Sequence, residues 1–293
     1  MMVVFCVIGI LAIGFLCLLL YHNRAFPEAQ EIAEEMERVG SDYYFYGSSK
    51  TGFIIFSGAK TDEKAYTYLA KLLHEEGHTV VIPKQLFYLS MFGTKHGMEI
   101  LESNSQIENW ILIGHSLGGM PVSRIAAAQP KGLIGVALLA TYASVDLSGL
   151  DIRAIRITAD HDGIMNNTFM EKYNVNLPAN SSNIVLEGAN HQGFAAYSSS
   201  SGRDGKASIS WKEQNEQTIR LILDYFMEML SAPLRSALSE RPLDVQRPRV
   251  CSADIPPKGG DATRRGKNAP PYQETLRVWV ALLNSSARIE RSQ

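Results

Sequence analysis

Trp110-Ile111-Leu112-Ile113-Gly114-His115-Ser116-Leu117-Gly118-Gly119-Met120 is the stretch that decides how this chain folds. Four apolar residues in a row suit a strand buried on both faces. The run breaks at Gly114, and residues 120–128 resume a helix-compatible pattern. A strand that turns sharply into a helix through G-x-S-x-G lifts its serine hydroxyl into the open. The same turn aims the next N–H, that of Leu117, at the oxygen of an attacked carbonyl. The glycines supply space, because strand and helix backbones approach closely around a strained serine. Two glycines and a serine at this spacing also arise by chance in ordinary Gly-rich turns. The strand before and the helix after give this one its weight.

A serine hydroxyl needs a base to take its proton and an acid to hold that base in one tautomer. Downstream, the strand-like run Ile152 to Thr158 leads into Asp160-His161-Asp162-Gly163, and the run Asn183 to Leu186 leads to His191. Serine, carboxylate and imidazole therefore stand at strand ends in chain order. His22, His74, His78, His96, His115 and His161 do not follow the acid by a strand, and a lone histidine is ordinarily a surface or packing residue. Of the two acids, Asp162 is the expected partner, since Gly163 permits the tight turn that aims its carboxylate across the strand ends. Asp160 suits a turn-capping role. A second oxyanion donor is expected from the loop Phe56-Ser57-Gly58-Ala59-Lys60, with the Ala59 N–H paired with that of Leu117.

With a formal net charge of -2, 45% hydrophobic and 20% charged residues, the 293-residue chain has an ordinary globular composition. No basic stripe interleaved with aromatics marks it for nucleic acid. No Cys/His cluster has metal-ligand spacing, and the expected chemistry needs no metal or organic cofactor. Cys6, Cys17 and Cys251 leave no possible disulfide within residues 18–250.

Residues 1–21, MMVVFCVIGILAIGFLCLLLY, carry no charge. About 20 apolar residues cross the ~30 Å hydrocarbon layer as a helix. The stretch lacks the basic start and small-x-small site of a cleaved signal peptide. It is expected to be an uncleaved single-pass transmembrane anchor, with the catalytic domain on the extracytoplasmic side.

Residues 22–40 read as an acidic, solvated juxtamembrane helix or linker with Pro27 in its first turn. The globular domain is expected over 41–230. Tyr43 to Tyr46 and Gly52 to Phe56 look like a hairpin across Gly47-Ser48-Ser49-Lys50. Helices and buried strands then alternate down to an amphipathic helix from Trp211, opened by Ser210 with Glu213 in capping-box spacing. This alternation implies a mostly parallel sheet with helices on both faces, an α/β fold. Residues 231–293 lose apolar periodicity and read as a disordered, mildly basic tail.

Six segments in order, FIIFSGAKTDEKAY, VVIPKQLFYLSMFG, WILIGHSLGGM, ITADHDG, LEGANHQGFAAY and DGKASISWKEQNEQT, resemble the alpha/beta hydrolase fold-5 family. The resemblance spans roughly residues 42–230 and implies an α/β-hydrolase fold with Ser116, Asp162 and His191 as the triad. One departure is plain: the family usually has a Gly-Gly or His-Gly pair where this chain has Ser57-Gly58-Ala59.

Thr141 to Asp151 alone separates two strands between which a lid domain is often inserted, and it is too short to hold one. An open, shallow site is therefore expected, walled by residues 86–92, 142–147 and 194–197. Leu86, Phe87, Tyr142 and Phe194 are its expected substrate-binding residues, suited to small or extended acyl groups. The expected activity is hydrolysis of a small acyl ester, amide or thioester through an acyl-enzyme. The same triad would serve an acyltransferase, in which an alcohol or amine replaces water. A membrane-tethered, non-catalytic binding module is the remaining reading.

Overall fold

In the strand Thr51–Phe56, Phe53 and Ile55 enter one hydrophobic cluster while Ile54 and Phe56 enter another, all four fully buried. In Asn109–His115, Ile111 and Ile113 separate from Trp110 and Leu112 in the same way. A side-chain period of two produces this split wherever both faces of a sheet are covered.

The computed structural model describes residues 14, 21–165, 167–198 and 202–227. Its elements run α1 (Pro27–Glu35), β1 (Glu37–Val39), β2 (Asp42–Phe45), β3 (Thr51–Phe56), α2 (Thr67–Glu75) and β4 (Thr79–Ile82). There follow α3 (Thr94–Ser103), β5 (Asn109–His115), α4 (Gly119–Ala127), β6 (Leu133–Leu139) and β7 (Arg153–Ala159). The last are α5 (Asn167–Glu171), β8 (Ser181–Leu186) and α6 (Trp211–Met227). The strands form one sheet in the order β1-β2-β4-β3-β5-β6-β7-β8. β2 runs antiparallel to both its neighbours, and from β4 to β8 every pairing is parallel. α1, α2 and α6 cover one face through residues such as Ile32, Leu69, Leu73, Ile222 and Phe226. α3 and α4 cover the other through Ile100, Leu101, Val122 and Ile125. Each such side chain removed from water contributes roughly 1.5–3 kcal/mol. The Ser210 cap is in place, its Oγ accepting the Glu213 N–H at 3.1 Å.

Two expectations about the N-terminal part are corrected. The hairpin of residues 43–46 with 52–56 does not form, because β4 lies between: Tyr43 stands opposite Ile82, and β3 pairs with β4 and β5. The Gly47–Lys50 turn instead crosses the start of β4, where the Gly47 N–H donates to Thr79 Oγ1 (3.0 Å) and the Ser49 N–H to the Gly77 carbonyl (2.9 Å).

Nor is α1 a solvated stalk. Ala29, Ile32 and Ala33 are buried in the core while Glu31, Glu34 and Glu35 face outward. Thr67 Oγ1 donates to the Ala29 carbonyl (2.6 Å), the Phe26 N–H to the Ala196 carbonyl (2.8 Å) and the Asn23 N–H to the Lys60 carbonyl (2.6 Å). The packed domain thus begins near residue 22, not 41. Three small or β-branched residues suffice to seat the helix, and the glutamates between them hide that stripe.

Among the described residues no helix is long and apolar enough to cross a membrane. The expected anchor, apart from Gly14 and Tyr21, and the expected tail at 231–293 lie outside the described residues.

Candidate active site

Parallel strands leave a crevice at their carboxyl ends, and the chemistry-bearing residues collect there. Ser116 directly follows β5 and adopts φ +52°, a left-handed conformation that non-glycine residues rarely take. It opens a single 3-10 turn, Ser116–Gly118, that runs straight into α4. Gly118 makes the turn possible: a Cβ there would collide with the backbone carbonyl of Phe56 at the end of β3. The strained serine is therefore fixed by backbone packing on two sides.

Asp162 lies beyond β7 and His191 beyond β8. Asp162 Oδ1 accepts the N–H groups of Ile164 (2.8 Å) and Met165 (2.7 Å), which locks the carboxylate in place. Its Oδ2 bonds His191 Nδ1 at 2.9 Å, with both side chains almost wholly removed from solvent. A carboxylate so held keeps the proton on Nδ1 and leaves Nε2 free as an acceptor. Asp160 takes no part: its carboxylate is about one-third exposed and its nearest recorded partner is His161, at 3.8 Å.

His115, next to the serine, proves to be a buried strut. Its Nε2 lies 3.1 Å from the His191 carbonyl and its Nδ1 2.7 Å from the Tyr66 hydroxyl, which accepts the Gly58 N–H at 2.7 Å. A carbonyl can only accept, so Nε2 carries the proton and Nδ1 receives that of Tyr66. Burial pushes His115 well below the usual histidine range, and the nearby His191 ring adds to the effect. Burial also pushes Tyr66 well above the ordinary tyrosine range, with Tyr197 second. The result is a neutral chain from the loop after β3, across the base of the serine turn, to the backbone of His191.

That chain bears on Ala59. The N–H groups on either side are engaged, Gly58 with Tyr66 and Lys60 with the Tyr88 carbonyl (2.7 Å), while Ala59 itself is exposed. Lys60 Nζ also reaches the Phe87 carbonyl (3.2 Å), tying this loop to residues 86–88. Phe87 and Tyr88 both have positive φ, +54° and +58°. Leu86 and Phe87 are exposed, at 58% and 38%, as a wall residue requires. Tyr142 is half-buried and stacks on Tyr173 with ring centroids 4.0 Å apart. Phe194 is a correction: it is fully buried, with its ring 5.8 Å from that of His115, so it supports the base loop from beneath and presents no surface to a substrate. Among the described residues no cluster of three or more His, Cys, Asp or Glu side chains is placed to hold a metal ion.

No local signal in the sequence singles out Tyr66 or Asp204, whose carboxylate accepts backbone N–H groups from both the acid and the base loops. Asp204 stands in one of the six quoted segments, but as Arg203-Asp204-Gly205 it reads as loop.

Comparison with known proteins agrees with this architecture. The profile of the Alpha/beta hydrolase family matches residues 52–216, more than half of the chain. The chain belongs to the alpha/beta hydrolase family. Among solved structures, this hydrolase resembles MGS-MChE2, an alpha/beta hydrolase enzyme from the metagenome of lagoon sediments at Mar Chica, Morocco. The two share 15% identity and a TM-score of 0.50, over 67% of this chain and 99% of that one. A lipase-esterase related protein from Clostridium acetobutylicum is 13% identical with a TM-score of 0.48, over 63% of this chain and 99% of that one. At such identities the likeness is one of fold. No curated protein sequence matches the hydrolase.

Proposed function

We infer that this chain is a serine hydrolase that cleaves a carboxylic ester, amide or thioester through an acyl-enzyme. Ser116 is the nucleophile, His191 the base and Asp162 the group that orients and stabilises the imidazole. His191 Nε2 takes the Ser116 proton as Oγ attacks the carbonyl carbon. The Leu117 and Ala59 N–H groups hold the oxyanion, and its collapse expels the alcohol, amine or thiol with the proton from His191. Water then repeats the sequence and releases the acid.

The observation that carries this reading is the 2.9 Å Asp162–His191 bond at the same edge of the sheet as a serine held at φ +52°. Family membership favours turnover over a binding-only role. The short 141–151 connection supports an open site for small or extended acyl groups.

The uncharged run 1–21 supports a membrane anchor. Where the described chain resumes, Tyr21 is exposed and His22 stacks on Tyr88 at 3.8 Å, beside the exposed Leu86 and Phe87. This arrangement supports a site mouth near the bilayer, and we place the domain on the extracytoplasmic side. Protease shaving of sealed cells tests that placement, and survival of the domain would refute it.

The chemistry is tested by labelling the full chain with a fluorophosphonate, wild type beside Ser116→Ala and His191→Ala. Labelling is expected to disappear in both variants; retention in Ser116→Ala would end the reading.

A further inference from the structure

The triad leaves a second carboxylate at the same strand ends without a role. Asp204 Oδ1 accepts the N–H groups of Gly163 (3.0 Å), His191 (3.2 Å) and Gly205 (2.9 Å), and Oδ2 accepts that of Gln192 (2.7 Å). Two of these donors lie in the base loop and one directly follows the acid. Neither loop is part of a strand or an α-helix; a single 3-10 turn, Gln192–Phe194, follows His191. β7 ends at Ala159 and β8 at Leu186, so both Asp162 and His191 stand past the ends of their strands.

The segment 203–205 lies directly on the acid loop: a Cβ on Gly163 would come within 2.6 Å of the Gly205 nitrogen. It is also tied to the base loop, since Asn190 Nδ2 donates to the Gly205 carbonyl at 2.8 Å. From the opposite side Gln214 of α6 clasps Asn190, with Nε2 donating to its carbonyl (2.8 Å) and Oε1 accepting its N–H (3.2 Å). α6 thus fixes the base loop to the core. The two loops meet directly farther from the site, where the His161 N–H donates to the Ala189 carbonyl (3.0 Å), and Asp204 adds the link that reaches Gly163 and His191 themselves. Tyr197 feels both carboxylates: it is pushed up by burial first, then by Asp204 and Asp162.

We propose that Asp204 is a positioning residue, whose carboxylate joins the acid loop to the base loop and so sets the Asp162–His191 hydrogen bond. The proposal rests on the triad reading of Ser116, His191 and Asp162. The residue type matters. Four N–H donors converge on two oxygens, and an asparagine would turn its NH2 toward at least one of those donors. Hydrogen bonds to a charged acceptor are also roughly twice as strong as neutral ones.

The test uses the full chain in mild detergent and reads two quantities, the rate and the final stoichiometry of fluorophosphonate labelling. The D204N variant is expected to reach wild-type stoichiometry about 10- to 100-fold more slowly, as for a small misplacement of reacting groups. The D204S variant, which keeps one acceptor oxygen and adds no amide donor, serves if D204N does not fold, with the same expectation. Wild-type rate in the folded variant overturns the proposal, whether or not stoichiometry falls. Failure of both variants to fold also overturns it, since the carboxylate would then hold up the fold and not the site.

The low-field proton resonance of His191 Nδ1 separates this proposal from the triad reading, because it needs no turnover. Wild-type labelling in His191→Ala would sink the triad and the proposal with it. A resonance that is absent from wild type, or unmoved in the folded Asp204 variant, would sink the role of Asp204.

Discussion

The turn that carries Ser116 and the two loops that carry Asp162 and His191 solve the same problem by different physics. The serine is placed by exclusion: Gly118 lies against the Phe56 carbonyl, and φ at Ser116 is forced to +52°. Strand, turn and helix follow one another without slack, so the backbone alone decides where the hydroxyl goes. Asp162 and His191 stand past the ends of their strands, and directed hydrogen bonds place them instead. Asp162 is held by the N–H groups of Ile164 and Met165, and His191 by Asp162, by Asp204 and by the strut through His115. A site that must accept strain at one residue and align two others uses steric contact for the first and charge-assisted bonds for the rest.

Substitution within each half should expose the difference. Ser116→Gly is expected to lower turnover by about 10⁴-fold or more while leaving the thermal midpoint unchanged or higher, because glycine accepts positive φ without strain. Asp162→Ala is expected to lose about 10⁴-fold in turnover and also about 1–3 kcal/mol of stability, since two backbone N–H groups and the imidazole lose their acceptor. Paired measurements of kcat and thermal denaturation decide it. An equal fall in melting temperature for both variants would erase the distinction.

A smaller effect sharpens the steric half. Gly118→Ala places a methyl group on the Phe56 carbonyl, and overpacking of this kind costs about 1–3 kcal/mol. Because the strain falls on the serine turn, labelling should slow in whatever fraction remains folded. Urea denaturation beside labelling kinetics reads both, and an unperturbed Gly118→Ala would mean that the turn is not sterically set.

The smallest effect is one of pH and belongs to the hydrogen-bonded half. His115 has its folded pKa pushed down by burial and by His191. Its contribution to stability is therefore complete above the unfolded value of about 6.5 and is lost as pH falls below it, because only the unfolded chain then takes up the proton. His115→Gln should flatten the stability slope on the acid side of pH 6.5 in urea titrations. His78, lowered chiefly by burial, leaves a residual slope. An unchanged slope in the variant would argue against a neutral buried strut.

Much of the fold and of the candidate site was legible where the signal is local. The apolar run Trp110 to Ile113 is found within the strand Asn109–His115, and the helix-compatible stretch 120–128 as Gly119–Ala127. Gly163 pointed to Asp162 rather than Asp160, and it is Asp162 that bonds His191. Legibility failed where the outcome depends on a distant partner. Turn chemistry at 47–50 showed that the chain turns, but not that β4 would lie between β2 and β3. An acidic surface on α1 concealed three buried residues, and the aromatic Phe194 gave no sign that it packs beneath His115 and away from any ligand.

The sequence by itself determined the alternation of strands and helices, the strained serine turn, and the strand ends at which an acid and an imidazole would stand. Each of these follows from backbone sterics and side-chain periodicity within a few residues. Tertiary structure alone decided that Tyr66 and His115 join the loop after β3 to the backbone of His191, and that Asp204 gathers N–H groups from two loops. Those contacts link Tyr66 to His115 and Asp204 to Gly163 across 49 and 41 residues of chain. Pairings so far apart in sequence exist only once the sheet has brought its strand ends together, because no local conformational preference encodes them.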